Sequence, residues 1–163
     1  MKKKSIFTVT AVSLIALVCT FLFSSISFAD RIANDNPTDE IVKSLVFLRD
    51  KEQGVVFSHP DRGFWIQYYA DKPVFIDNLN KDYMLANATK NIYYSRDYAN
   101  STKYFNEYNI RYFWIDEKMK NGLVWTKPEQ GLLFLFENEK LFTRIFNKAG
   151  IEIWEYHPEQ QTI

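Results

Sequence analysis

Cysteine, histidine and glycine are scarce in this chain of 163 residues, which contains one Cys, two His and five Gly. Cys19 lies in an apolar N-terminal stretch, so the rest of the chain has no disulfide or thiol chemistry. His59 and His157 lack the spacing and the companion ligands of a metal site, and we expect neither a metal nor another cofactor. The glycines are scattered singly, which excludes a glycine-rich phosphate loop.

An excess of charge of one sign is also lacking, because 20 basic residues balance 20 acidic residues. A general nucleic-acid-binding protein carries a basic surface, so this balance argues against nucleic acid as a partner. Residues 1–29 hold three lysines and no acid, and without them the net charge is −3 over 134 residues. Apolar residues make up 47% of the chain, which is ordinary for a globular protein of one domain.

Residues 1–29 have the pattern of an export segment. Three consecutive lysines precede an uncharged stretch from Ser5 to Ala29, and Ser27 and Ala29 are small residues at the −3 and −1 positions of a cleavage site. This pattern predicts a secretory signal cut after Ala29. The same 25 uncharged residues are long enough to be a single membrane anchor instead. Both alternatives place the remainder outside the cytoplasm, with membrane contact only through residues 5–29.

Beyond this segment we expect a polar linker at residues 30–38, an exported domain at residues 39–158 and a short tail at residues 159–163. Apolar spacing of three to four predicts a helix capped by Thr38 or Asp39. Gly63–Ala70 fits a helix or a strand, and residues 79–90 are irregular or weakly helical. The other predicted elements are strands at Val55–Phe57, Pro73–Asp77, Ile92–Tyr94 and Arg111–Asp116, a helix capped by Ser95, a short helix at residues 129–136, and a hairpin at residues 141–156.

Helices and strands therefore alternate along most of the domain. This order predicts an α/β fold, a single-domain sandwich with a mixed, largely parallel sheet flanked by helices and closed by a C-terminal β-hairpin. In α/β sheets, functional residues often follow the carboxyl ends of strands.

The first predicted strand is followed by Ser58-His59-Pro60-Asp61. A serine, a histidine and a carboxylate together suggest a small exported hydrolase that uses Ser58 or His59. However, triads are normally assembled from separate segments, and no Gly-x-Ser-x-Gly elbow is present. The alternatives are a polar turn that caps the next element and a loop that faces a ligand.

Aromatic residues are abundant, with 28 Phe, Tyr and Trp in the chain. Most of them occupy positions typical of a core. Trp65 and Tyr68 lie close to the polar turn, where an aromatic ring with a polar tip suits a sugar or a peptide. Asn87 and Asn100 each begin an Asn-x-Thr sequon, so both are candidate glycosylation sites in an exported chain.

The order of segments from Glu40 onward resembles a known family. The phrases GFWIQYYADKPVFID, IYYSRD and NIRYFWID, followed by a Leu/Phe-rich segment and LFTRIFNKAGIEIWEY, are similar to the extracytoplasmic C-terminal domain of GT-C type membrane glycosyltransferases. That superfamily includes the catalytic subunits of oligosaccharyltransferases. The resemblance covers about 120 residues, nearly all of the predicted exported domain.

The resemblance implies where a ligand would bind and what is missing. Oligosaccharyltransferase subunits carry Trp-Trp-Asp-Tyr-Gly at the corresponding turn, which recognises the acceptor sequon; here the turn reads His59-Pro60-Asp61-Arg62-Gly63, and only Asp61 and Gly63 match. The superfamily holds its catalytic carboxylates and metal between many membrane helices, whereas this chain has at most one such helix. The resemblance therefore implies a domain that is not an enzyme on its own.

We accordingly expect a non-catalytic extracytoplasmic domain that binds glycan or an acceptor peptide, or docks on a membrane glycosyltransferase. The predicted ligand-binding residues are Asp61, Gly63, Trp65 and Tyr68. Asp61 would accept hydrogen bonds, Gly63 would allow close backbone approach, and the two rings would supply stacking surface. A structural envelope protein whose aromatic residues are all buried is a third alternative.

Overall fold

The computed structural model describes residues 13–14, 17–20, 36–80 and 82–158. The predicted signal or anchor, the linker and the tail therefore lie largely outside the described residues. Contacts divide the chain into residues 1–37 and Thr38–Ile163, and the second unit holds the fold discussed below. In the part of the chain that is described, no helix is both long and apolar enough to cross a membrane.

The second unit contains a four-stranded mixed sheet. Its strands are β1 (Val55–Phe57), β2 (Ile110–Ile115), β3 (Phe142–Lys148) and β4 (Ile151–Tyr156), in the spatial order β1-β2-β4-β3. β1 pairs with β2 in parallel, while β2–β4 and β3–β4 are antiparallel. The predicted α/β class, mixed sheet and C-terminal hairpin are confirmed. The sheet is not largely parallel, however, because only one of its three strand pairs is parallel. The hairpin turns at Ala149 and Gly150, which both have positive φ, as a type I′ turn requires.

Helices cover both faces of this sheet. The α-helices of the second unit are α1 (Asp39–Arg49), α2 (Gly63–Trp65), α3 (Tyr83–Tyr94), α4 (Tyr98–Glu107) and α5 (Leu132–Leu135), and a π-helical turn spans Met119–Leu123. Side chains alternate along β2, so Phe113 belongs to the larger core with α3, α4 and α5, whereas Tyr112 and Trp114 belong to the smaller core with α1 and Ile66. The molecule is thus a three-layer sandwich with the sheet in the middle.

The predicted strand at Ile92–Tyr94 is wrong, because these residues end α3. The Asp82 side chain accepts hydrogen bonds from the backbone N–H groups of Met84 and Leu85 and so caps this helix. Buried positions then recur at helical spacing through Ala88, Thr89, Ile92 and Tyr93. Three apolar residues cannot by themselves distinguish a strand from the last turn of a buried helix.

Two further predictions need correction. The expected strand at Pro73–Asp77 is reduced to a parallel bridge between Val74 and Val56. Pro73 has no N–H to donate, and the Asp77 side chain turns the backbone by accepting from Leu79 N–H at 2.9 Å. Asp97, rather than Ser95, caps α4 by accepting from the N–H groups of Ala99 and Asn100.

The open question at Gly63–Ala70 is resolved in favour of helix. A 3₁₀ turn at Pro60–Arg62 leads into α2, and α2 continues as a π-helical turn, Ile66–Ala70. We call residues 59–70 the 59–70 turn. It ends at Asp71, whose left-handed backbone stops the helix.

Candidate functional site

The 59–70 turn is anchored at the carboxyl ends of the two parallel strands. Arg62 follows β1 and Asp116 follows β2, and parallel strands bring these ends to one edge of the sheet. Arg62 Nε donates to Asp116 Oδ2 at 2.8 Å, and both side chains are about nine-tenths buried. Asp116 Oδ1 also accepts from Met119 N–H at 2.9 Å. A buried ion pair therefore lies beneath the predicted site.

Trp65 is held against this ion pair. The Arg62 guanidinium lies over the indole, 4.8 Å from the ring centroid. Trp65 is half-buried and packs against the smaller core on the α1 side of the sheet. It therefore supports the turn from within, and only part of its surface faces solvent.

Gly63 is buried because another backbone segment passes close to it. A Cβ at Gly63 would lie 2.5 Å from Asp77 Cβ and 3.0 Å from Asp77 Cα. Gly63 was expected to allow a ligand to approach the backbone closely, but the group that approaches it is the protein's own Asp77. This contact packs the 59–70 turn against the segment that follows the Val74 bridge. Gln67 Nε2 adds a long contact of 3.5 Å to Asp77 Oδ2.

Asp61 lies on the outer side of the turn, and its side chain is 47% exposed. Asn78 Nδ2 donates to Asp61 Oδ1 at 2.6 Å, and Asp61 Oδ2 lies 3.3 Å from His59 Nδ1, so both carboxylate oxygens have a neighbour. His59 Nδ1 accepts from Asp61 N–H at 3.3 Å. Burial lowers the pKa of His59, and this effect outweighs the opposing influence of the Asp61 and Asp116 carboxylates. The lowered pKa favours the neutral form of the ring.

Large apolar side chains surround Asp61 in the sequence and remain exposed. Tyr68 is 81% exposed and Phe64, one helical turn earlier, is 48% exposed. Leu79 follows Asn78, the partner of Asp61, and is 71% exposed. An exposed carboxylate and exposed rings in the same short turn are groups that can accept an amide hydrogen bond and cover an apolar side chain.

The geometry does not assemble a hydrolytic triad from Ser58, His59 and Asp61. The Ser58 hydroxyl is buried and donates to Met119 Sδ at 3.8 Å. His59 uses Nδ1 for the backbone of Asp61, and no hydrogen bond joins Ser58 to His59 among the described residues. Residues 36–80 and 82–158 likewise contain no group of three or more His, Cys, Asp and Glu placed to hold a metal ion.

The two sequons lie on helices. Asn87 is exposed on α3 and Asn100 is exposed on α4. The threonine hydroxyls of both sequons are engaged, since Thr89 donates to Leu85 O at 2.7 Å and Thr102 donates to Tyr98 O at 2.8 Å. Glycosylation of either asparagine stays a prediction.

The fold has a counterpart among solved structures. The C-terminal globular domain of an oligosaccharyltransferase from Archaeoglobus fulgidus superposes with a TM-score of 0.59 at 15% identity, covering 75% of this chain and 99% of that domain. This chain has the oligosaccharyltransferase C-terminal-domain fold. The resemblance seen in the segments from Glu40 onward is thereby confirmed at the level of the fold.

Two further oligosaccharyltransferase structures from Archaeoglobus fulgidus give lower similarity. One is tethered to an acceptor peptide with an NVT sequon, with 16% identity, 77% of this chain and 19% of that chain covered, and a TM-score of 0.45. The other is in complex with an inhibitory peptide and a dolichol-phosphate, with 15% identity, coverages of 78% and 19%, and a TM-score of 0.44. No protein-family model and no curated protein matches the chain.

The structure brings Asp61, Gly63 and Trp65 into one turn, with Tyr68 at its exposed end. Three residues that sequence reasoning did not select also shape this site, namely Arg62, Asn78 and Asp116. Asp116 carried a usable signal, because an acidic residue that closes a predicted parallel strand lies at the same sheet edge as Asp61. Nothing in the sequence indicates the contact of Asn78 with Asp61, because that contact depends on the path of the loop after Val74.

Proposed function

We propose that this chain is a non-catalytic extracytoplasmic domain whose 59–70 turn binds an extended polypeptide segment. The observation that carries the proposal is the state of Asp61, which is half-exposed yet held by Asn78 at 2.6 Å, in a turn that also exposes Phe64 and Tyr68. The shared fold with an oligosaccharyltransferase C-terminal domain supports a role close to an acceptor polypeptide. The same proposal includes docking on a membrane glycosyltransferase, because docking would present the bound segment to that enzyme.

The chemistry of the turn favours a peptide over a sugar at this position. Asp61 Oδ2 would accept a backbone or side-chain N–H of the segment, in a charge-assisted bond. Tyr68 and Phe64 would cover apolar side chains on either side of that contact. Asp77, which packs against Gly63 and lies 3.5 Å from Gln67, adds a second carboxylate to the turn and favours a neutral or basic segment over an acidic one.

Both tryptophans and the tyrosine of the family motif are replaced in this chain. We therefore expect its acceptor sequence to differ from the family's sequon. We would therefore enrich peptides on the immobilised full chain from a library of random twelve-residue peptides, with a peptide that contains Asn-Val-Thr added as a reference. Affinity for the enriched peptide is then measured by fluorescence anisotropy.

Asp61→Ala should weaken peptide binding at least about tenfold, since a hydrogen bond to a charged group contributes about 1.5–3 kcal/mol. Tyr68→Ala should weaken it by a similar factor while stability stays within about 0.5 kcal/mol, because the side chain is exposed. Asp50→Ala is the matched control, because it removes an exposed carboxylate that precedes β1. Equal affinity of Asp61→Ala and the wild type would contradict the proposal.

A further inference from the structure

The segment after β2 contains the only asparagine of the chain that is followed by glycine, Asn121-Gly122. We call residues 119–125 the 119–125 loop. It begins as a π-helical turn, but the backbone is not helical at Asn121 (φ −106°, ψ 36°) or at Gly122 (φ 111°, ψ −10°). Both residues are exposed. Neither the predicted site nor the proposed function uses this pair.

An asparagine side chain can react with the backbone nitrogen of the residue that follows it. That nitrogen attacks the side-chain carbonyl carbon, and the new C–N bond closes a succinimide ring. The bond from the carbonyl carbon to the side-chain nitrogen breaks, and the proton lost from the backbone nitrogen reaches the leaving group through water, so ammonia departs. Water then opens the ring at one of its carbonyl carbons and leaves aspartate or isoaspartate. Glycine favours the attack because it has no Cβ to hinder it.

The surroundings of Gly122 leave room for this attack. Apart from its chain neighbours, no atom of the described residues lies within 4 Å of a Cβ built at Gly122. Asn121 Nδ2 donates to Glu117 Oε1 at 3.4 Å, a long hydrogen bond at the surface that holds the amide weakly. The Asn121 side chain can therefore turn towards the backbone nitrogen of Gly122.

One contact opposes the reaction and sets how it proceeds. Gly122 N–H donates to Trp125 O at 2.7 Å, so the attacking nitrogen is held in the closed loop. Exposed loops open locally at a much smaller free energy than global unfolding requires. The reaction therefore goes through local opening of the 119–125 loop, and a denaturant that opens the loop should speed it.

Two other exposed asparagines provide references within the same chain. Asn87 lies inside α3 and Asn100 inside α4, where the backbone is helical. The residues that follow them are Ala88 and Ser101, which both carry a Cβ. Ser101 N–H is also held by a helical hydrogen bond of 3.0 Å. These positions share exposure with Asn121 but lack the glycine and the irregular backbone.

We propose that Asn121 is a site of spontaneous deamidation, which converts it to aspartate or isoaspartate. Either product places a carboxylate beside Glu117. Isoaspartate also adds a backbone carbon to a loop that is closed by a hydrogen bond of 2.9 Å from Trp125 N–H to Met119 O. Met119 N–H in turn donates to Asp116. The modification therefore loosens the loop next to the buried ion pair, whether or not the 59–70 turn binds a peptide.

The test incubates the full chain in mildly alkaline buffer and follows its peptides by mass spectrometry, with fragmentation that separates aspartate from isoaspartate. A sample digested without incubation gives the background. We expect Asn121 to deamidate at least about tenfold faster than Asn87 and Asn100, because glycine has no Cβ and a loop opens more readily than a helix. Denaturing urea should raise the rate at Asn121 further. A rate at Asn121 in the folded chain no higher than at Asn87 and Asn100 would overturn the proposal.

The effect on the loop has its own measurement. The isoaspartyl form, separated by ion-exchange chromatography, should unfold at a lower urea concentration than the unmodified chain. Asn121→Gln is the matched control, because it keeps the amide but cannot close the same ring; its urea midpoint should stay constant during incubation while that of the wild type falls. Equal midpoints of the modified and unmodified chains would overturn the effect on the loop.

Discussion

The parallel and the antiparallel halves of the sheet position their surface side chains in different ways. On the parallel side, Arg62 and Asp116 are 54 residues apart in sequence and meet in a buried ion pair beneath the 59–70 turn. On the hairpin side, the Trp154 indole N–H donates to Glu152, two residues away, and Glu152 in turn forms a partly exposed ion pair with Lys120. The parallel side thus depends on one long-range buried contact, whereas the hairpin side depends on local register and several weaker contacts.

The largest expected effect comes from breaking the buried pair. Asp116→Ala leaves the Arg62 guanidinium buried without its partner, and we expect a loss of about 3–5 kcal/mol in the free energy of unfolding. Urea unfolding of the full chain measures this loss. Lys120→Ala removes one partner of the hairpin-side pair and should cost about 1 kcal/mol or less. Similar losses in the two variants would contradict the contrast between the two halves.

The next effect concerns the close approach at Gly63. Gly63→Ala places a methyl group against Asp77 Cβ and Cα, and we expect about 1–3 kcal/mol of destabilisation from overpacking. Asp77→Gly removes the nearest of these atoms, so the double variant should lose less than the sum of the single losses. Thermal unfolding of the wild type, the two single variants and the double variant gives the four stabilities of this double-mutant cycle. Strict additivity would show that Gly63 and Asp77 do not touch.

A smaller effect is the dependence of stability on pH through His59. Burial holds the pKa of His59 below its unfolded value of about 6.5, so the folded state binds fewer protons than the unfolded state. The stability that this difference contributes is complete above the unfolded pKa. It is lost as the pH falls from there towards the folded pKa.

His59→Asn should therefore flatten the decline in stability between pH 7 and pH 5. The asparagine oxygen can still accept from Asp61 N–H, so the turn keeps its cap. Urea midpoints at the two pH values provide the measurement. An unchanged decline in the variant would mean that His59 does not contribute to the pH dependence.

Much of the fold could be predicted from the sequence, because strong local patterns were decisive. The helix after Thr38, the strand before Asp116 and the C-terminal hairpin each follow from apolar spacing or turn chemistry. Ile92–Tyr94 was predicted incorrectly because an apolar run of three residues fits either state until its burial partners are known. Pro73–Asp77 forms only a bridge because Pro73 cannot donate and Asp77 turns the chain.

The candidate site was predicted only in part, and for a physical reason. Asp61 and Tyr68 could be found from residue type and from their place after a strand. Arg62 looks like an ordinary surface cation in the sequence, and only the parallel pairing of β1 with β2 places it against Asp116. Trp65 was expected to face a ligand, yet its ring is half-buried against Arg62 and the smaller core.

The central claim is that the 59–70 turn is the peptide-binding surface of this domain, and backbone-amide NMR of the full chain tests it most directly. On addition of the enriched peptide, the account predicts that the largest amide shifts fall in residues 59–70 and around Asn78 and Leu79. The Asp61→Ala variant should show these shifts only at a peptide concentration at least about tenfold higher. Shifts concentrated around Arg144 and Trp154 of the β3–β4 hairpin, with residues 59–70 unchanged, would contradict the claim.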